Sequence, residues 1–480
     1  MAAATTTDQR RGPLALLAPE RPDSAATRHL LLAIPFLVLS AFLFLVLQIK
    51  VPFPGLWETN PLFAYGRLRP VAFNAAIWGW VTMGFVGVAY YLTPRLTGAR
   101  LWGERIANAN LWFSIFVYGA GIVALALGLS EGRNMAEFPL WLDVFVLGTL
   151  AVPTVVVTMT VRRSTEEGMY VSLWYVLAGL WWLLGLYVVG NAPIGGVTDM
   201  LQTSFLDSGL RGLWIVGMGL AATYYLIPKI TESPLYSRPI ALIGFWSLAF
   251  AAVWIGPGRW IWGPIPDWSQ EIAAVMSLAL VLPAAAVITN FVGTLRPRWE
   301  LLSESPPLRL ALIGSVIYLV AAVLEALAPF RPTSTVVGLT PIWDGLLTAI
   351  LFGAATLWIG AFSMHALPRM LGRRLFSQDL ARRQLRYLVV GVSVVAATQL
   401  STALYSGYTW IGGAQSGAYQ NTGAGFANQI TDALQPLYLL IALASILILV
   451  GVSIYAYNIY RTVTSGQAGL KEELVPGPYD

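Results

Sequence analysis

The run "LLLAIPFLVLSAFLFLVLQI", Leu30–Ile49, holds no charged residue over twenty positions. A bilayer core needs about 20 consecutive apolar residues to be crossed by a helix. One such run predicts a membrane segment, and the chain repeats it. Apolar segments recur about twelve times, among them Val71–Pro94, Gly212–Pro228, Pro239–Ile255, Ile342–Leu367 and Leu434–Tyr460. The whole chain of 480 residues is 57% hydrophobic and 11% charged, whereas soluble domains carry about 25% charged residues. The expected fold class is therefore all-α and membrane-spanning, one bundle of about twelve helices.

Loop charge predicts orientation. Arg95, Arg100 and Arg105 follow the second segment, and Arg162 and Arg163 the fourth. Lys229 and Arg238 follow the sixth, and Arg369, Arg373 and Arg374 the tenth. The alternate loops are poorer in Lys and Arg, with "GRLRP" (Gly66–Pro70) the exception. The positive-inside rule places both termini in the cytoplasm, and a bacterial inner membrane is expected. Trp57, Trp260, Trp262, Trp268 and Trp410 suit an interfacial belt. Residues 1–28 read as a polar, poorly ordered tail, 29–463 as the membrane domain and 464–480 as a cytoplasmic tail. The net charge of +5 fits basic loops at a lipid surface, and nucleic acid is not an expected partner.

The chain has 0 cysteines and 2 histidines, His29 and His365. Thiolate metal sites and covalent haem attachment are excluded. No P-loop, no H-E-x-x-H and no short repeat is present.

Several strings resemble the catalytic subunit I of cbb3-type cytochrome c oxidases, in the haem-copper oxidase family. "FAYGRLRPVAFNAA" (Phe63–Ala76), "YYLIPKITESPLYSRPIALIGFWSL" (Tyr224–Leu248), "WIGPGRWIWGPIPDWSQ" (Trp254–Gln270), "HALPRMLGRR" (His365–Arg374) and "AYNIYRTV" (Ala456–Val463) carry the resemblance, in the family's order. It implies a twelve-helix bundle, haem b and copper, and six histidine ligands. Carried over position by position, all six ligands are replaced. The helix-two haem ligand falls on Ala72, the first copper ligand near Ser208, and the copper His-His pair on Gly258 and Arg259. The two helix-ten ligands fall on Leu346 and Thr348, and the family's redox tyrosine near Ala252. Two histidines cannot supply six imidazoles, which haem iron and copper favour as donors. Both are expected as interfacial or loop-facing imidazoles, not ligands.

No catalytic, cofactor-binding or metal-binding residue is therefore expected, and no cofactor. The leading expectation is a pseudo-oxidase that does not reduce oxygen and serves as a membrane scaffold or docking subunit of a respiratory complex. Its partners would be other membrane subunits, the bilayer and, on the outer loops, a c-type cytochrome subunit. A second reading is a proton- or ion-conducting protein. Its polar core would comprise Asp207, Arg259, Glu325 and Asp344, since intramembrane charges mark functional paths by default. A third is an oxidase or nitric oxide reductase subunit with unusual ligands. Arg259 either pairs with Asp207 and Asp344 or reaches to the interface to stack on an indole. Glu325 has Arg211 or Arg331 as candidate partner. Asp143 and Asp432 read as helix-start residues. Asn74, Ser208 and Thr348 are expected to repack the interior by interhelical hydrogen bonds.

Overall fold

The computed structural model describes residues 22–416 and 424–469. Among the described residues, twelve apolar helices of more than ten residues follow one another: α1 (Ser24–Lys50), α2 (Tyr65–Thr97), α3 (Glu104–Ala126), α4 (Leu140–Val161), α5 (Val171–Gly190) and α6 (Gly196–Thr231), then α7 (Arg238–Ala251), α8 (Asp267–Arg298), α9 (Pro306–Leu327), α10 (Ile342–Leu371), α11 (Gln378–Gly413) and α12 (Ile430–Ser465). Eleven are long and apolar enough to cross a bilayer; α7 is the short one. The chain is an integral membrane protein. The sequence extends the seventh segment to Ile255, but the helix stops at Ala251, ahead of a 3-10 turn over Gly256–Trp260. Residues 252–255 form turns, and Gly256 and Pro257 keep the helix from resuming beyond them, because neither sustains a helix interior.

Three helices form the centre. The apolar windows of α2 and α10 are wholly buried and that of α6 nearly so, while the others are about half buried. Small residues allow the central helices to close up. A Cβ at Gly219 would lie 1.9 Å from Trp358, and one at Gly84 would lie 3.0 Å from Ile359. Each central helix also carries a π-helical stretch: Ala75–Thr82 in α2, Leu210–Val216 in α6 and Ala349–Ala355 in α10. The Thr356 hydroxyl donates to the carbonyl of Leu351, five residues back, at 2.8 Å.

The indoles of Trp78, Trp80, Trp214 and Trp358 are buried within this core. Three of them lace neighbouring helices together. Trp214 donates to Thr82 Oγ1 at 3.2 Å, Trp80 to Thr356 Oγ1 at 3.1 Å and Trp358 to Ser315 Oγ at 3.2 Å. Buried indole N–H groups need such acceptors.

The first and last described residues lie at one end of the bundle. Arg95, near the end of α2, donates to both carboxylate oxygens of Asp23 at 2.8 and 2.9 Å. Gly469 N donates to Gly372 O at 2.9 Å. The assignment of residues 1–28 to a tail is corrected in part, since α1 begins at Ser24; residues 1–21 and 470–480 lie outside the described residues. The helix start is held by α3. Glu104 Oε1 accepts from Ser24 Oγ at 3.0 Å and from Ala25 N at 2.9 Å, covering amide groups that a helix start leaves unpaired.

Candidate functional site

At the end away from Asp23 and Gly469, α6 places Asp207 and Arg211 one turn apart on the same face, the spacing at which helical side chains meet. Arg211 Nη2 donates to Asp207 Oδ2 at 3.0 Å, and Arg211 Nη1 donates to Glu325 Oε1 on α9. The Nε of Arg259, in the turn after α7, lies 3.3 Å from the same Asp207 oxygen. All four side chains are buried or nearly so. Two guanidiniums and two carboxylates cancel, which is how charge is tolerated at this depth.

The turn bearing Arg259 fits against α6 and the segment after α9 only because of its glycines. A Cβ at Gly256 would lie 1.9 Å from Ser204 O, and one at Gly258 would lie 2.9 Å from Pro329 Cγ. Ser208 Oγ donates to Val253 O at 3.0 Å, and Trp260 Nε1 donates to Ser204 Oγ at 2.9 Å. The Arg259 guanidinium also lies 5.1 Å from the ring of Trp343. Arg259 thus pairs with Asp207, one of its two expected partners; it does not reach out to the interface among Trp260 and Trp262, and the indole it faces is Trp343.

Asp344 does not join this group. It accepts from Arg69 Nη2 at 2.8 Å, with both side chains a quarter to a third exposed. Glu325 pairs with Arg211; the other candidate, Arg331, lies 3.6 Å from Glu271 instead. Between α3 and α4, Glu137 is buried and its Oε2 accepts from Asn74 Nδ2 at 3.1 Å. Burial pushes its carboxyl above the usual glutamate range, against the pull of Asn74 and Arg69.

The six positions that the resemblance gives to ligands are occupied as follows. Ala72, Ser208, Leu346 and Thr348 are buried in the central helices, each within a turn of a π-helical stretch, and Gly258 and Arg259 sit on the turn. Ala252 fills against Gly212, where a Cβ would lie 2.6 Å from its own. Of the three residues expected to bond between helices, Ser208 reaches Val253 O in the turn after α7. Thr348 Oγ1 instead donates to Asp344 O on its own helix at 2.7 Å, and Asn74 reaches a loop.

The histidines are corrected too: both are buried. The His29 Nδ1 lies 2.8 Å from Ala25 O, and its ring meets Tyr90 edge-on at 5.1 Å. Among the described residues, no three His, Asp or Glu side chains converge as a metal-binding group. Asp143 does lie in the first turn of α4, where it accepts from the Tyr187 hydroxyl at 2.6 Å.

The sequence profile of the family described as cytochrome C and quinol oxidase polypeptide I matches residues 24–447. The chain belongs to that family. Its relatives include cytochrome c oxidase subunit 1 of Rhodobacter capsulatus, 26% identical over 438 residues, covering 87% of this chain and 80% of the relative. A subunit 1 homolog of Agrobacterium tumefaciens (strain T37) is 28% identical over 451 residues, covering 88% and 80%. The cbb3-type subunit CcoN1 of Stutzerimonas stutzeri is 25% identical over 440 residues, covering 88% and 91%. A cryo-EM structure of a heme-copper terminal oxidase dimer superposes with a TM-score of 0.73 at 14% identity, covering 94% of this chain and 86% of that one. It shares the fold.

Within this family member, the hub of the buried charges is Arg211, which the sequence suggests only as an optional partner of Glu325. Its i,i+4 spacing from Asp207 is the signal that could have found it. Glu137 and Trp343 carry no local signal; they reach Asn74 and Arg259 only through the packing of distant segments.

Proposed function

We propose that this member of the haem-copper oxidase subunit I family is a cofactor-free subunit, a scaffold for other membrane subunits of a respiratory electron-transfer complex. In this reading it lies in a bacterial inner membrane with both termini in the cytoplasm, and its outer loops seat a c-type cytochrome subunit. The observation that carries the reading is the donor set. Ala72, Gly258 and Leu346 offer no ligand atom, Arg259 is a permanent cation, and the Ser208 and Thr348 hydroxyls are engaged with backbone carbonyls. Haem iron takes His, Met, Cys or Tyr, and copper favours imidazole. These residues do not fit either group.

The packing adds support. Interiors are close-packed and voids are costly. Bulky indoles with satisfied N–H groups occupy the space among α2, α6, α9 and α10. Each carboxylate of the Asp207–Glu325 group is tied to a guanidinium, which favours a structural role over ion conduction.

An absorption spectrum with metal analysis of the purified chain tests the reading. The expected result is no Soret band that scales with protein and no stoichiometric copper. A Soret band in proportion to protein, with bound copper, overturns it and favours an oxidase or nitric oxide reductase subunit with unusual ligands.

A further inference from the structure

Away from the buried charges, the ends of α1, α2, α10, α11 and α12 surround a cavity of about 710 Å³. Its wall mixes apolar surface, from Leu339 and Ile441, with polar groups from Lys50, Tyr65, Gln399 and Tyr438. Two of the polar side chains are buried and incompletely satisfied.

Lys50 closes α1 and is 8% exposed. Its ammonium donates to the carbonyl of Leu56, and among the described residues no carboxylate lies in ion-pair reach of it. An ammonium has three donors, so two remain. The cavity's one carboxylate, Asp344, is neutralised by Arg69. The wall therefore carries one uncompensated positive charge. Gln399, on α11, is 5% exposed, and its Oε1 receives no hydrogen bond. Gly345 leaves that amide its room, since a Cβ there would lie 3.1 Å from Gln399 Oε1. Buried groups of both kinds are normally paired.

An anion for Lys50, a donor for Gln399 and a short carbon body for the apolar wall belong to one class of molecule. We propose that this cavity binds a glycerophosphate-type ester, with the phosphate on Lys50 and a free hydroxyl donated to Gln399 Oε1. The cavity opens at helix ends, where a bilayer presents its headgroups. The source is either a phosphatidylglycerol headgroup or a soluble glycerol phosphate. The proposal stands apart from the cofactor-free reading, which the absorption spectrum tests on its own.

The test is thermal unfolding of the full chain in neutral detergent, with phosphatidylglycerol, phosphatidylcholine or glycerol 3-phosphate added. A ligand that binds only the folded state raises Tm in a concentration-dependent way. Phosphatidylglycerol is expected to raise Tm saturably and phosphatidylcholine to leave it unchanged. The same saturable shift with glycerol 3-phosphate supports the site and assigns a soluble source; a shift with the lipid alone assigns the headgroup. Lys50→Gln is expected to abolish the shift, Lys50→Arg to keep it, and Gln399→Leu to weaken apparent affinity about tenfold. Without ligand, Lys50→Gln is expected to be at least as stable as the native chain, which a purely structural lysine would not allow. If Lys50→Gln does not fold, the Lys50→Arg and Gln399→Leu titrations decide. A native chain that no phosphate ester shifts, a shift that survives in Lys50→Gln or is unaltered in Gln399→Leu, or saturable binding of hemin in place of the esters overturns the proposal.

Discussion

Two arginines at the same end of the bundle are held in different ways. Arg211 lies between Asp207 and Glu325 with almost no solvent contact, its side chain 4% exposed. Arg69 meets the single carboxylate of Asp344 where both are a quarter to a third exposed. The chemistry is the same, a guanidinium on a carboxylate. The surroundings are not. Water screens the shallow pair and can replace either partner. Nothing replaces Arg211 on Glu325, so its loss would strand that carboxylate in the interior and leave Asp207 to Arg259 alone. Depth, more than geometry, sets what an ion pair is worth in this protein.

The largest expected effect follows from that. Arg211→Met is expected to destabilise the folded chain by about 3–5 kcal/mol, read from chemical or thermal unfolding in detergent. The double variant Arg211→Met, Glu325→Leu leaves Asp207 paired with Arg259, so it should regain most of the loss. A double variant as unstable as the single one would show that pairing is not what Arg211 supplies. The uncharged part of α6 sets the next scale. Gly219→Ala drives a methyl into Trp358 and is expected to cost about 1–3 kcal/mol. That cost should shrink when Trp358 is already Leu, a coupling that a double-mutant cycle measures.

Glu137 lies between the two extremes, buried but bonded to an amide. Its folded pKa is raised above the ordinary value, with burial the largest cause. Below the ordinary glutamate pKa both states are protonated. As pH climbs past it, the unfolded chain ionises first, so stability falls until pH exceeds the raised folded value. Glu137→Gln removes this slope. Its stability relative to the native chain is expected to rise with pH across that window, and unfolding measured at several pH values checks it. A flat difference would mean that Glu137 is ionised in the fold. The smallest effect belongs to the shallow pair: Asp344→Asn is expected to cost about 0–1 kcal/mol, and a loss as large as that of Arg211→Met would remove depth as the explanation.

Much of the fold is legible along the chain. Leu30–Ile49 needs no partner to be recognised as a span, because lipid selects on local apolarity. "GPGRW" (Gly256–Trp260) marks the turn that follows α7, though not the four residues by which the helix stops short of it. The ordered strings from Phe63 to Val463 point to the family that the profile match assigns. The site is legible only in part. Asp207, Arg259 and Glu325 stand out as charges in apolar surroundings, and they do gather. Asp344 stands out equally, yet it pairs with Arg69 across 275 positions of sequence. His29 and His365 read as interfacial because each lies at the end of an apolar segment with no second nitrogen donor nearby in sequence. His29 is buried where Glu104, 79 positions from Ala25, caps α1 and draws its first turn into the bundle, and His365 is buried because α10 is a central helix.

Local composition therefore specifies the membrane class, the approximate number of helices and the residue types at the six family ligand positions, because each depends on one segment at a time. Which charges neutralise each other, which helices are central and which indoles fill the middle depend on approaches between segments far apart in the chain. Those approaches are set by close packing: by Gly219 against Trp358, Gly256 against Ser204 and Gly345 against Gln399. A glycine in a sequence does not say what it makes room for; its neighbour in the folded bundle does.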